Sequence, residues 1–133
     1  MQLRQTEVAK RALECVSQAQ ADAHTFAEYG TRANSFPTMI IQAGLAQALG
    51  FLRAKSGTDN PLSRAYFRYY DDLVSLARVS VTDLPEGRDA FYERVISAEL
   101  GEYRRLTQAV LDGAVWLKRI YQGTDSKEGA ECS

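Results

Sequence analysis

One histidine, two cysteines and three prolines in 133 residues each close off a class of protein. A lone His24 cannot supply the paired imidazoles of a zinc site, so no HExxH motif or His-Asp cluster can be assembled. Cys15 falls in a predicted helix and Cys132 in a frayed end, with no CxxC pair, which argues against a disulfide framework. The nucleotide cradles GxxxxGK[ST] and GxGxxG and the GxSxG elbow are missing. No apolar run approaches the ~20 residues of a membrane span, and "MQLRQTEVAKR" holds no uninterrupted apolar core of a signal peptide. A cytoplasmic protein without membrane contact is expected. Charge of one sign is lacking too: 16 Lys plus Arg nearly cancel 17 Asp plus Glu. The molecule is therefore no uniform polycation, and any nucleic-acid site must be a local patch. Twelve of those cations are arginine, whose planar fork suits phosphate and stacks on bases.

The apolar periodicity that is present is helical. No segment sustains alternation of period two, so no sheet is expected. The three prolines, Pro37, Pro61 and Pro85, fall where helices can begin, because a missing N–H costs nothing there. They divide the chain into blocks. Residues 3–28 repeat Val8, Ala12, Val16, Ala19, Ala23 and Phe26 at three- and four-residue steps, the mark of one buried stripe. Gly30 is then placed to cap that helix and Ser35 to start the next. Residues 37–55, "PTMIIQAGLAQALGFLRAK", are apolar on nearly every side, which predicts a central helix packed by several neighbours. Gly44 and Gly50 in this stretch read as points of close helix approach.

Residues 62–81 place Ala65, Tyr66, Tyr69, Tyr70, Leu73, Leu76 and Ala77 in helical register, with Arg64, Arg68, Asp71, Asp72 and Arg78 interleaved. Residues 85–98 turn Phe91, Val95 and Ile96 inward, and residues 99–121 carry a stripe from Tyr103 to Ile120. The expected fold is all-α: a single-domain antiparallel helical bundle of about five to six helices with a central apolar helix, spanning 1–122. Residues 123–133 lack any apolar pattern and read as a flexible C-terminal tail.

Catalytic chemistry would have to come from carboxylates. Asp71 and Asp72 are adjacent, and Glu99 and Glu102 are three apart, so two could in principle hold a divalent cation. Adjacent helical residues point about 100° apart, however, and a solvated face is the plainer reading of the Asp pair. No enzyme, metal or cofactor is expected. Two basic clusters remain. In "RAYFRYY", Arg64 and Arg68 stand one turn apart beside aromatic rings, a composition that suits phosphates and bases. The alternative is a tyrosine core whose arginines pair with Asp71 and Asp72. The other cluster joins Arg53 and Lys55 to Arg104 and Arg105 in "YRRLTQ" and to Lys118 and Arg119 in "WLKRIY". Arg53 and Lys55 also complement the negative end of a helix dipole, worth about 0.3 to 1 kcal/mol.

The string "GLAQALGFLRAK" fits a GLxxxLxFLxxK pattern through Gly44, Leu45, Leu49, Phe51, Leu52 and Lys55, with Pro37 and Ile40 before it. Trp116, Leu117, Lys118 and Arg119 form a second landmark. With these landmarks in order along nearly the whole length, the chain resembles the small subunit of the type III-B CRISPR Cmr effector complex. That resemblance implies a non-catalytic helical subunit that stacks in several copies along the guide and target duplex, beside larger backbone subunits that hold the CRISPR RNA. Its partners would be those subunits, neighbouring small subunits, the CRISPR RNA and the target RNA. The candidate RNA-binding residues are Arg53, Lys55, Arg64, Arg68, Arg104, Arg105, Lys118 and Arg119. A reading of another class is a helical adaptor or homo-oligomer that never meets nucleic acid.

Overall fold

The computed structural model describes residues 3–57 and 60–132, with side chains described from residue 5 to residue 124. Among the described residues it is an all-α bundle of six helices: α1 Leu3–Gln20, α2 Ala23–Ala43, α3 Leu45–Lys55, α4 Pro61–Ser80, α5 Arg88–Ile96 and α6 Leu100–Cys132. Every other helix packs against α4. Its inward face is the one the helical spacing selects, and Ala65, Tyr66, Tyr69, Tyr70, Leu73, Leu76 and Ala77 are all buried. Tyr69 meets the rings of Tyr29 and Phe36 edge to face, at centroid distances of 5.6 and 5.5 Å. Such pairs add about 0.5 to 1.5 kcal/mol each beyond the area they bury.

Helix boundaries follow the local chemistry, with several departures from expectation. The first block is split at residues 21–22, where Asp22 adopts extended backbone and accepts from the His24 N–H to open α2. His24 itself is exposed, as is Ala23, which therefore leaves the predicted inward stripe. Gly30 ends nothing: it lies inside α2, where an added Cβ would sit 1.9 Å from Tyr121 Cζ. Its missing side chain makes room for a ring from α6 instead of a left-handed cap. Ser35 does not cap either, since its hydroxyl donates to the Thr31 carbonyl one turn back. Pro37 is buried inside α2, and its ring leaves the Ala33 carbonyl without the usual i+4 donor.

The apolar stretch 37–55 is thus two helices, and the interruption is Gly44, at φ +90° and ψ 158°. L side chains rarely adopt that backbone, so Gly44 serves conformation and not the close helix approach expected of it. Gly50 likewise meets only ordinary contact, with Tyr92 Oη 3.5 Å from a built Cβ. The close approach lies at Gly113, where a Cβ would stand 3.0 Å from Leu76 Cβ. Gly44 brings no capping side chain to α3, and the Tyr103 hydroxyl of α6 accepts from the Ala46 N–H at 2.9 Å in its place. Of the stretch itself, Ile40, Leu45, Leu49 and Leu52 are buried, whereas Ile41 is 72 % exposed.

α4 begins as expected, with Pro61 in the first turn and Asn60 accepting from the Ser63 N–H at 2.8 Å. Pro85 does not start α5, which opens after Gly87. Phe91 and Val95 point inward, while Ile96 is 54 % exposed. α6 continues as helical backbone to Cys132, through most of the segment expected as a tail; side chains from residue 125 onward lie outside the described residues. No helix among the described residues is long and apolar enough to cross a membrane.

Two substitutions separate packing from backbone conformation. Leu49→Ala empties part of a fully buried site and should cost about 2 to 5 kcal/mol in urea unfolding. Gly44→Ala has space, with only Tyr103 Oη within 4 Å at 3.6 Å, yet should still cost about 1 to 3 kcal/mol through backbone strain. Unchanged stability in Gly44→Ala would show that the α2–α3 break relaxes at no cost.

Candidate nucleic-acid interface

Burying the tyrosine face of α4 fixes what its other sides present. Arg64, Arg68 and Asp72 follow one another at four-residue steps, and Phe67 lies beside them. They line a groove of about 880 Å³ whose other walls carry Arg11, Gln18, Asp22, Thr25, Ser75, Arg78 and Glu86. A second depression, of about 370 Å³, is lined by Gly50, Arg53, Ala54, Arg88, Asp89 and Tyr92. Ser56 and Gly57 line both, so the two adjoin.

Four arginines, Arg11, Arg64, Arg68 and Arg78, therefore line the groove, and two more, Arg53 and Arg88, line the depression beside it. Arg11 donates to Ser75 Oγ at 2.7 Å, and Arg78 donates to the Leu84 carbonyl at 3.0 Å and pairs with Glu86 at 3.5 Å. Arg88 pairs with Asp71 at 3.6 Å while its guanidinium lies 3.5 Å from the Phe67 ring centroid. Arg53 pairs with Asp89 at 3.4 Å and lies over the Tyr92 ring at 5.1 Å. The Arg88–Phe67 pair spans the two depressions, whereas the Arg53–Tyr92 pair lies within the smaller one. The exposed ion pairs are worth little for stability, and their cations can be drawn to a phosphate at small cost.

Of the residues singled out in the sequence, Arg53, Arg64 and Arg68 are brought to this surface. Lys55 is exposed nearby on the last turn of α3, its ammonium 5.9 Å from the Phe51 ring centroid. Arg104 and Arg105 are exposed on the first turns of α6. Lys118 is half-buried, and Arg119 lies 5.8 Å over Trp116 in a separate hollow lined also by Gln5, Val8 and Ser80. Arg11, Arg78 and Arg88 join the surface without having been candidates on sequence grounds. Arg11 and Arg88 come from α1 and α5, far in sequence from "RAYFRYY", and no local motif marks them.

The carboxylates part company with the solvated-face reading. Asp71 is exposed, but Asp72 is 9 % exposed on the groove floor, where the Tyr29 hydroxyl donates to it at 2.6 Å. Burial pushes its pKa up to about 6, against hydrogen bonds from Tyr29 and the Cys15 thiol and the charge of Arg68. Cys15 in turn is buried, and its pKa is pushed up to about 12 by burial and by Asp72. Glu102 is held by Arg94 at 2.6 Å. No group of three His, Cys, Asp or Glu able to hold a metal ion occurs among the described residues.

Comparison with known proteins settles the lineage. The family model described as CRISPR-associated protein (Cas_Cmr5) matches residues 4–124. The chain belongs to the Cmr5 family. A relative from Thermus thermophilus, named CRISPR system Cmr subunit Cmr5, is 34 % identical over 122 residues, covering 92 % of this chain and 96 % of the relative. The crystal structure of a CRISPR-associated Cmr5 family protein from the same organism superposes with a TM-score of 0.75 at 33 % identity, covering 92 % of this chain and 97 % of that one. The Cmr5 family membership makes this chain a small subunit of a CRISPR Cmr complex, as the resemblance of its motifs implied.

A buried acid with a raised pKa has a definite stability signature. Between the usual value of 3.8 and about 6, folded protein holds a proton at Asp72 that unfolded chain releases, so stability rises as pH falls through this window. Above about pH 6 the penalty of the buried charge is fully present. Asp72→Asn keeps an oxygen for the Tyr29 hydroxyl and removes the charge. Wild type should gain on the order of 3 kcal/mol relative to this variant between about pH 7 and pH 4, measured by urea unfolding at each pH. Parallel stability profiles for the two proteins would contradict the buried-charge account.

Proposed function

We propose that this chain is a non-catalytic subunit of a type III-B CRISPR ribonucleoprotein, acting in the cytoplasm in antiviral defence. Several copies stack head to tail along the guide and target RNA duplex and steady its strands through backbone phosphates. The observation that carries this reading is the pair of adjoining depressions to which Arg11, Arg64, Arg68 and Arg78, and Arg53 and Arg88, are brought from α1, α3, α4 and the start of α5. Guanidinium forks in a partly dehydrated groove bind phosphate more firmly than the same groups scattered in water. Four carboxylates share the larger groove, but Glu86 is engaged by Arg78, Asp71 by Arg88, Asp72 by Tyr29, and Asp22 caps α2. Lys55, Arg104, Arg105, Lys118 and Arg119 are further phosphate contacts along the outer surface. Sequence choice stays with guide pairing and cutting with other subunits, in keeping with a protein that reads strand geometry.

Contact with neighbouring subunits falls to a different surface. Ile41, Ile96 and Leu100 are 72 %, 54 % and 64 % exposed. Ile41 is three residues from Gly44 and Leu100 three from Tyr103, which the Ala46 hydrogen bond brings together, so these side chains lie at one end of the bundle. This apolar end is also the feature that favours the second reading, a protein-interaction adaptor or homo-oligomer without nucleic acid. Head-to-tail stacking uses two unlike surfaces and does not close into a two-fold pair, so the free subunit should be monomeric or weakly associated.

The readings part in salt. In reconstituted complexes, changing Arg53, Arg64 and Arg68 to Gln should weaken target-RNA binding for every sequence alike. The salt slope should fall by about 0.7 to 0.9 for each phosphate no longer neutralised. A Lys118→Gln, Arg119→Gln subunit tested in parallel measures the outer contacts. Wild-type affinity and slope in the triple variant would overturn these depressions as the contact surface. A tight two-fold dimer indifferent to RNA, seen by light scattering, would favour the adaptor.

A further inference from the structure

Building on the RNA-contact reading, we propose that the groove receives one unpaired nucleotide of an RNA strand, its base stacked on the Phe67 ring and its flanking phosphates held by Arg64 and Arg68. Phe67 is the exposed aromatic residue of its helix, where Leu62 is the exposed aliphatic one. Tyr66, Tyr69 and Tyr70 around it are buried, yet Phe67 is 41 % exposed and has no polar tip to account for its place at the surface. One side of the ring is covered by the Arg88 guanidinium, 3.5 Å from the centroid. Arg88 is itself anchored by Asp71 at 3.6 Å and by the start of α5, where its carbonyl accepts from the Tyr70 hydroxyl at 3.3 Å.

Arg88 lines the smaller depression and not the groove, whereas Phe67 lines the groove. Phe67 thus stands where the groove adjoins the smaller depression, and its exposed 41 % is surface that the guanidinium leaves uncovered. A phenyl ring with a guanidinium against one side offers its uncovered surface as a stacking platform that accepts any base. Arg64 and Arg68 bracket it at one-turn spacing, about 6 Å apart on the helix surface. The base must be unpaired because a base within a duplex stack has both π-faces covered by its neighbours, whereas an extruded nucleotide exposes one.

The test uses the full-length chain and a short single-stranded RNA carrying one 2-aminopurine, alone or annealed to its complement, at low salt. Stacking quenches 2-aminopurine, so wild type should quench the single strand on binding. Phe67→Leu keeps apolar bulk but removes the aromatic face. It should abolish the quench and weaken single-strand binding about 5- to 100-fold. Duplex binding should be unchanged, with circular dichroism confirming the fold. Arg64→Gln with Arg68→Gln should weaken both RNA forms.

If Phe67→Leu quenches and binds as wild type while the arginine variant fails, the stacking proposal falls and the backbone reading survives. If wild type binds neither RNA form, both fall. If Phe67→Leu leaves RNA binding intact but blocks assembly with the large Cmr subunits, Phe67 is a protein-docking residue and the proposal is wrong.

Discussion

α4 is the helix against which the other five pack, and its aromatic face is covered by α2, α3 and α5. Tyr66, Tyr69 and Tyr70 bring large apolar area to a single helix, and the Tyr69 hydroxyl is buried with no hydrogen-bond partner among the described residues. Tyr70 reaches the Arg88 carbonyl at the start of α5. Tyr69 packs between Tyr29 and Phe36 of α2, and Tyr29 closes the arrangement by donating to Asp72. Covering these rings sets where α2 and α5 lie, and through Tyr121 and Gly30 it sets how closely α6 approaches α2.

The candidate interface is the reverse side of the same constraint. Once the tyrosines face inward, helical geometry turns Arg64, Phe67 and Arg68 toward the open groove and leaves Asp72 at the seam, partly in the core and partly in the groove wall. A buried carboxylate beside Arg68 moderates the positive field that a phosphate would meet. The groove consequently has arginine forks without a strong net charge, which agrees with a chain whose cations and anions nearly balance. Such a surface favours a ligand that matches its geometry over nonspecific polyanions.

Much of this is legible in the sequence, and the parts that are not share a physical cause. The helical class, the inward face of α4, the Pro61 start and the resemblance to the Cmr small subunit all rest on short-range spacing, which a linear string preserves. The glycines mislead because a missing Cβ has two uses. Gly30 gives room to Tyr121 and Gly44 permits φ +90°, and nothing local distinguishes them. Pro37 reads as a helix start because the packing that carries it inside α2 is tertiary. The Asp71–Asp72 pair reads as one solvated unit, although neighbours about 100° apart on a helix at the core boundary need not share an environment.

By itself the sequence determined that this protein is an all-α bundle, where its principal aromatic face lies, and to which family it belongs. Those properties follow from apolar periodicity and from motif residues a few positions apart. Only the tertiary structure decided that Arg11, Arg64, Arg68 and Arg78 meet at one groove, with Arg53 and Arg88 in the depression beside it, while Arg119 lies in another hollow. Only the tertiary structure supplied α3 with a cap from Tyr103 of α6. Charges on separate helices acquire a common address through packing angles and loop paths, and these depend on the whole core at once.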